Sequence, residues 1–399
     1  MRTFLLTLYV LTSSTAAAQP VVMPEHVTAP HTTGLLQPMT AAPPVAMAVD
    51  KHGVAMAWTA QRRIHVARLD ASGRIDGGVH ELPIRSSNVA VEAHQPSLAP
   101  APSNDGFVIG WIEFGRTRPL GVYTFLDANL AAALPSFVPS NEVSSSILVR
   151  TGSKVWIAAD RDVYEVDSDR FARLSFSRTW PASGLALVDD YPTVVSRVLS
   201  TFSCTCSTGG GVFGICPESC KNFFTLFQLQ LDQPFASVAQ RSFRIETRAD
   251  AALGAEGDEL LIAWFMGRQA DGGTVVLAAL PSSESGSFPT ALDTPVTLGK
   301  FRSDAGPTRP DIAANGKRRV VVWRNKSDRG DYDVVGASID EKGAITRFDI
   351  ATSDADERNP SVLALPNGNF LVAYEKTGSV QRSIAWRFVL FEGRRRAVR

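Results

Sequence analysis

A single pattern recurs along this chain and limits what it can fold into. A short apolar run meets a turn built on Gly, a second apolar run ends in an aromatic residue, and a third run closes on Asp-x-x-Gly. The clearest copy reads Arg309-Pro310-Asp311-Ile312-Ala313-Ala314-Asn315-Gly316, then Arg319-Val320-Val321-Val322-Trp323, then a run ending in Asp340-Glu341-Lys342-Gly343. The same grammar runs from Val45 through Gly53, Trp58 and Gly73, from Gln95 through Gly106 to Trp111, and from Asn359 through Gly368 to Tyr374. Weaker copies start at Ile147, Leu185 and Ala251. The repeat is uneven but returns about every 50 residues, near the period of propeller blades.

Each element of the pattern has a physical reason. Asn-Gly and Asp-Gly supply the positive φ that tight hairpins require. An aromatic at the end of a strand suits a sheet packed face to face with its neighbours. A fourth, less regular strand completes a four-stranded antiparallel unit. No stretch has the periodicity of an amphipathic helix, and 30 Gly and 24 Pro punctuate the runs. The expected fold is therefore all-β: a single β-propeller of about seven four-stranded blades over residues 34–392. Two β-sandwich domains would explain the strands but not the repeated grammar. An open ring exposes sheet edges. Gly34-Leu35-Leu36-Gln37-Pro38 is expected to supply a strand that completes the last blade, beside residues 383–389.

The repeats resemble those of bacterial secreted β-propeller proteins, whose units read Pro-x-apolar-Ala, a turn Gly, an apolar run and Trp. The resemblance covers the chain from about Pro44 onward. It implies a fold rather than an activity. No blade carries the WD grammar, and no Ser-x-Asp-x-Gly-x-x-Trp box of the sialidase kind is present.

The first residues read as an export signal. Met1-Arg2-Thr3 is a short basic start, Phe4 to Leu11 is apolar, and Ala16-Ala17-Ala18 is a small-residue cleavage site, so residues 1–18 are a predicted signal peptide. Residues 19–33 would then be a flexible lead, and the expected location is secreted or periplasmic. No later run is long enough for a membrane-spanning helix. Lys plus Arg and Asp plus Glu are both 40, so no global field favours nucleic acid. The basic end, residues 393–399, reads as a solvated tail.

Four cysteines, Cys204, Cys206, Cys216 and Cys220, lie in a Gly-rich insertion at 201–221. An even number in an exported chain reads as disulfides, and a Cys204–Cys206 bond would close a strained ring. A four-thiolate zinc site fits Cys216 and Cys220 but not Cys204 and Cys206. All six His precede residue 95, and none forms a ligand pair, so no metal and no cofactor is expected. Neither acidic stretch, 327–333 or 353–357, has calcium-loop spacing.

The residues leading into each blade are the candidate site. They are polar, and Pro fixes the backbone beside them: Gln95, Arg248, Arg309, Arg358 and Asn359 are expected ligand-binding residues at the channel mouth. Asp250 and Asp311 are the candidate acid and base if the chain is a hydrolase. The leading expectation is a monomeric, non-enzymatic binding or scaffold propeller, its partner a small molecule, a glycan or a protein. The alternatives are a carbohydrate-active propeller hydrolase with paired carboxylates, and a structural component of an envelope complex.

Overall fold

A computed structural model describes residues 19–28, 45–84, 92–114, 119–133, 135–139, 143, 147–166, 171–177, 182–188, 190–204, 223–232, 241–245, 251–266, 273–281, 294–302, 309–378 and 381–391. Every regular element among them is a β-strand. They form seven antiparallel sheets, six with four strands and one with five. Within the four-stranded sheets the strands follow chain order, and in the five-stranded one two N-terminal strands lie beside the last strand of the chain. The first sheet shows the layout: Val45–Asp50, Gly53–Ala60, Arg63–Leu69 and Ile75–Glu81. The first strands of the next six are Glu92–Pro100, Ile147–Thr151, Ala182–Val188, Ala252–Glu256, Asp311–Ala314 and Asp356–Ala364. Successive first strands lie side by side, and that of the seventh sheet lies beside that of the first. The architecture is all-β and of the β-propeller class.

Packing explains why the strands read as continuous apolar runs rather than alternating ones. Each sheet is covered on both faces, so both sets of side chains must be apolar. In Phe107–Phe114, the second strand of the second sheet, all residues but the last are buried. Separate apolar clusters fill the spaces between neighbouring sheets. One joins Ala57, Ile64 and Val66 of the first to Phe107, Trp111 and Val122 of the second. Another joins Met56, Trp58 and Leu69 of the first to Leu371, Ile384 and Trp386 of the seventh. The fourth strands face outward, and Ile75–Glu81 is largely exposed.

The Asp-x-x-Gly turns form as their sequence dictates. Asp70 Oδ1 accepts from the Ser72 and Arg74 amides at 2.8 and 2.9 Å. Asp340 Oδ1 accepts likewise from Lys342 and Ala344, both at 2.9 Å. Gly73 and Gly343 hold φ of +87° and +77°. The second sheet uses Asp127 in the same way, with Leu130 at φ +63° in the glycine position.

The stretch expected to be a flexible lead contains ordered strand. Val21–Val22 pairs with Val389 and Leu390, and His26–Val27 with Ala385 and Trp386, along the last strand, Arg382–Leu390. Between them Glu25 accepts from Tyr374 Oη at 2.5 Å and Lys376 Nζ at 2.7 Å. Burial pushes the Glu25 carboxyl up, but those two bonds outweigh it and hold the pKa below its usual value. Residues 34–38, nominated for this role from sequence, lie outside the described residues.

The insertion also begins later than its sequence suggests. Tyr191–Cys204 and Phe223–Asp232 form one long hairpin in which Cys204 lies opposite Phe223. Thr201 to Cys204 therefore continue the strand. Cys206, Cys216, Cys220 and the basic tail lie outside the described residues.

Candidate functional site

The repeat register places the nominated residues at one end of the first strands. Ser97, Asp311 and Ser361 each pair with the residue just before the closing aromatic of their sheet: Gly110, Val322 and Ala373 precede Trp111, Trp323 and Tyr374. Gln95, Arg309 and Asn359 are thus equivalent, each directly before a Pro. The mouth segments 92–95 and 357–360 are not loops, however. Both are strand, with a β-bulge between His94 and Ser97 and between Arg358 and Ser361. The bulge absorbs the proline, whose missing N–H would otherwise break the ladder. Gln95 and Asn359 sit at φ +59° and +50°, left-handed values that cost a non-glycine residue roughly 1–3 kcal/mol.

The two bulges end differently. Asn359 Nδ2 donates to Glu375 Oε2 at 2.7 Å. In the second sheet Ile112 stands opposite His94, where Glu375 stands opposite Arg358. Gln95 is only 4% exposed, and neither its Oε1 nor its Nε2 has a partner.

Asp311 acts as a clasp between sheets. Its Oδ2 accepts from Ser361 Oγ at 2.9 Å and from the Val362 amide at 2.8 Å. Ser97 joins the second sheet to the third in the same way: its Oγ accepts from the Val149 amide at 2.9 Å. Asp311 Oδ2 is thereby engaged in holding the sixth and seventh sheets together. Arg248 and Asp250 lie outside the described residues, so the nominated acid–base pair has only Asp311 among them.

Arg150, which sequence reasoning missed, joins this group. It lies on Ile147–Thr151, the first strand of the third sheet, and is partly exposed. Burial pushes its pKa down, Asp311 pulls it back up, and Arg309 lowers it further. The third and sixth sheets are thus within electrostatic reach of each other through their first strands.

Arg358 is turned into the junction of the sixth and seventh sheets. Tyr332 lies between two guanidinium groups, Arg324 at 4.2 Å and Arg358 at 5.0 Å from the ring centroid. Arg358 Nη2 donates to Asp356 Oδ2 at 2.5 Å, and Asp356 Oδ1 accepts from the Tyr332 amide at 3.1 Å. Burial raises the Glu375 pKa against the pull of Arg382, Asn359 and Arg358. Glu357 is fully buried and likewise raised, against a hydrogen bond from Ser353. Glu357 falls in the polar entry and acidic stretch read from sequence, whereas Glu375 lies in an apolar-rich strand and nothing nearby marks it.

The opposite end of the ring carries an open cleft of about 720 Å³ between the second and third sheets, bounded by Pro102, Phe125, Lys154 and Glu165. Lys154 and Glu165, both of the third sheet, pair in its wall at 2.7 Å. Among the described residues no group of three His, Cys, Asp or Glu could hold a metal ion, and no helix is long and apolar enough to cross a membrane.

No known protein family matches the chain, and no curated protein matches it. Solved structures do. A protein of unknown function from Dyadobacter fermentans is similar at TM-score 0.49 and 8% identity, over 92% of this chain and 99% of that one. The Dos1 propeller is similar at TM-score 0.43 and 10% identity, over 85% and 76%. The NanB sialidase of Streptococcus pneumoniae is similar at TM-score 0.39 and 8% identity, over 90% and 70%.

Proposed function

We propose that this chain is an exported, non-enzymatic binding propeller that takes its ligand at the channel mouth. Its seven sheets act as the blades of one closed ring, and Val21 to Val27 complete the last blade. The ligand is a small molecule, a glycan or an exposed segment of a protein partner. The observation that carries this reading is the state of Asp311: its carboxylate bonds Ser361 and the Val362 amide and so ties two blades together. Arg309 stands at the mouth and Arg150 deeper along the first strands, and guanidinium groups suit gripping a ligand better than exchanging protons with one.

The test is a glycan and polysaccharide binding screen run beside a hydrolysis assay on the same panel. The expected result is binding without turnover. Turnover that disappears in a folded Asp311→Asn variant would establish the hydrolase alternative and end this reading.

A further inference from the structure

Arg150 is unusual among the inner residues of the ring. Val149 donates to Ser97 of the preceding sheet, as Val362 donates to Asp311. Arg150, one residue on, therefore takes the place of Leu363 in the seventh sheet. In the second and sixth sheets that place, two residues beyond Ser97 and Asp311, belongs to Ala99 and Ala313. One arginine thus projects at a level where three other blades present small or apolar side chains.

Its hydrogen bonding is incomplete. Nη1 donates to the carbonyl of its own neighbour, Val149, at 2.8 Å. Among the described residues Arg150 makes no ion pair, and Asp311 is close enough to be felt without touching it. Cations enclosed by protein are normally paired, because desolvation is otherwise uncompensated. The remaining N–H groups keep contact with solvent, since none of the Arg150 nitrogens belongs to the sealed, partnerless atoms of the interior.

We infer that Arg150 is the floor of a carboxylate-binding subsite inside the channel, reached from the mouth. The inference rests on the binding reading above and names the ligand chemistry of that same site. A guanidinium holds a carboxylate through two parallel N–H···O bonds. The Asp311 carboxylate acts electrostatically on Arg150 and would repel a second negative charge on a guest bound there. A singly charged carboxylate is therefore favoured over a doubly charged phosphate.

The experiment is calorimetric titration of the mature chain with D-glucuronate, D-glucose, acetate and inorganic phosphate at matched ionic strength. Glucuronate is expected to bind at least tenfold tighter than glucose. Arg150→Gln should abolish that difference, and Arg150→Lys should retain some of it. On wild-type protein, phenylglyoxal labelling of Arg150, read by mass spectrometry, should be suppressed by glucuronate. This measurement stands even if Arg150→Gln does not fold. Equal glucuronate affinity in Arg150→Gln, labelling of Arg150 unaffected by glucuronate, or phosphate binding tighter than glucuronate overturns the inference. Binding of neutral glycans without any preference for carboxylates overturns it while leaving the binding reading in place. No binding by any glycan or carboxylate overturns both.

Discussion

The two ends of the first strands are built on opposite principles. At the hairpin end, where first strands turn into second strands, acids on one sheet hold the turn of the next. Asp50 takes both Arg68 Nη1 and Nη2 at 2.9 Å and accepts from the Gly106 amide of the second sheet at 3.0 Å. Glu256 repeats the device on the Gly316 amide and Arg319 at 2.8 and 2.6 Å. At the mouth end the polar groups are raised acids, left-handed residues before prolines, and an amide with no partner. Burial pushes the Asp50 carboxyl up, but Arg68, His52 and Gly106 outweigh it and its pKa falls; the pKa of Glu357 rises. One end of the ring is thus saturated with matched bonds. The other carries strain and shifted acids, features that cluster where proteins bind or react.

Removing the Asp50 carboxylate should break the contrast most severely. Asp50→Ala leaves Arg68 Nη1 and Nη2 and the Gly106 amide without their acceptor. A loss of about 3–5 kcal/mol is expected in urea unfolding; a loss under about 1 kcal/mol would make the hairpin clasp ornamental. Next comes Gly106→Ala. Gly106 holds φ +98°, and a Cβ there would sit 2.1 Å from the Leu126 carbonyl oxygen. A cost of about 1–3 kcal/mol should appear as a lower urea midpoint with unchanged slope. A neutral result would show that the turn relaxes freely.

At the mouth the expected sign reverses. Gln95→Leu removes two unpartnered polar atoms and should raise stability by roughly 1 kcal/mol. A loss of similar size would mean that the amide has a partner in solution. The smallest effect is one of pH. Glu25 and Asp50 have lowered folded-state pKa values, so their contribution is complete above the ordinary carboxylate range and is lost as pH falls through the folded value. Glu357 is raised, so its contribution is complete below the ordinary value and is lost as pH rises through the folded one. Glu357→Gln should therefore gain on wild type as pH rises above the ordinary glutamate pKa of about 4. Parallel stability curves would remove Glu357 from the comparison.

Much of the fold was legible because its rules are local. The Asp70 and Asp340 turns, the hairpin glycines and the buried closing aromatics each announce themselves within a few residues. Leu130 shows the limit: Asp127 sets the same turn without the glycine that would have revealed it. The mouth segments were legible as polar and proline-bearing but not as strand, because a bulge hides the proline from any period-two pattern. Pairing of residues 34–38 with the last strand was expected, and those residues lie outside the described ones; the pairing seen comes from Val21–Val22 and His26–Val27, strands of two residues that carry no periodicity to read. Arg150 ends an apolar run, where a charge is unremarked. Its neighbours Arg309 and Asp311 come from the far side of the ring, and no local window contains all three.

The bond from Lys376 to Glu25 spans 351 positions of the chain. The segment synthesised first is therefore docked last, because its pairing strand, Arg382–Leu390, lies at the far end of the sequence. A ribosome still holding Arg382–Leu390 holds the seventh sheet unfinished. Loop-closure entropy grows only slowly with length, so the late joining costs little in stability, but such distant contacts form slowly. Until they form, the two sheet edges stay open to other strands, and the hazard of aggregation is greatest in the interval just before the two ends meet.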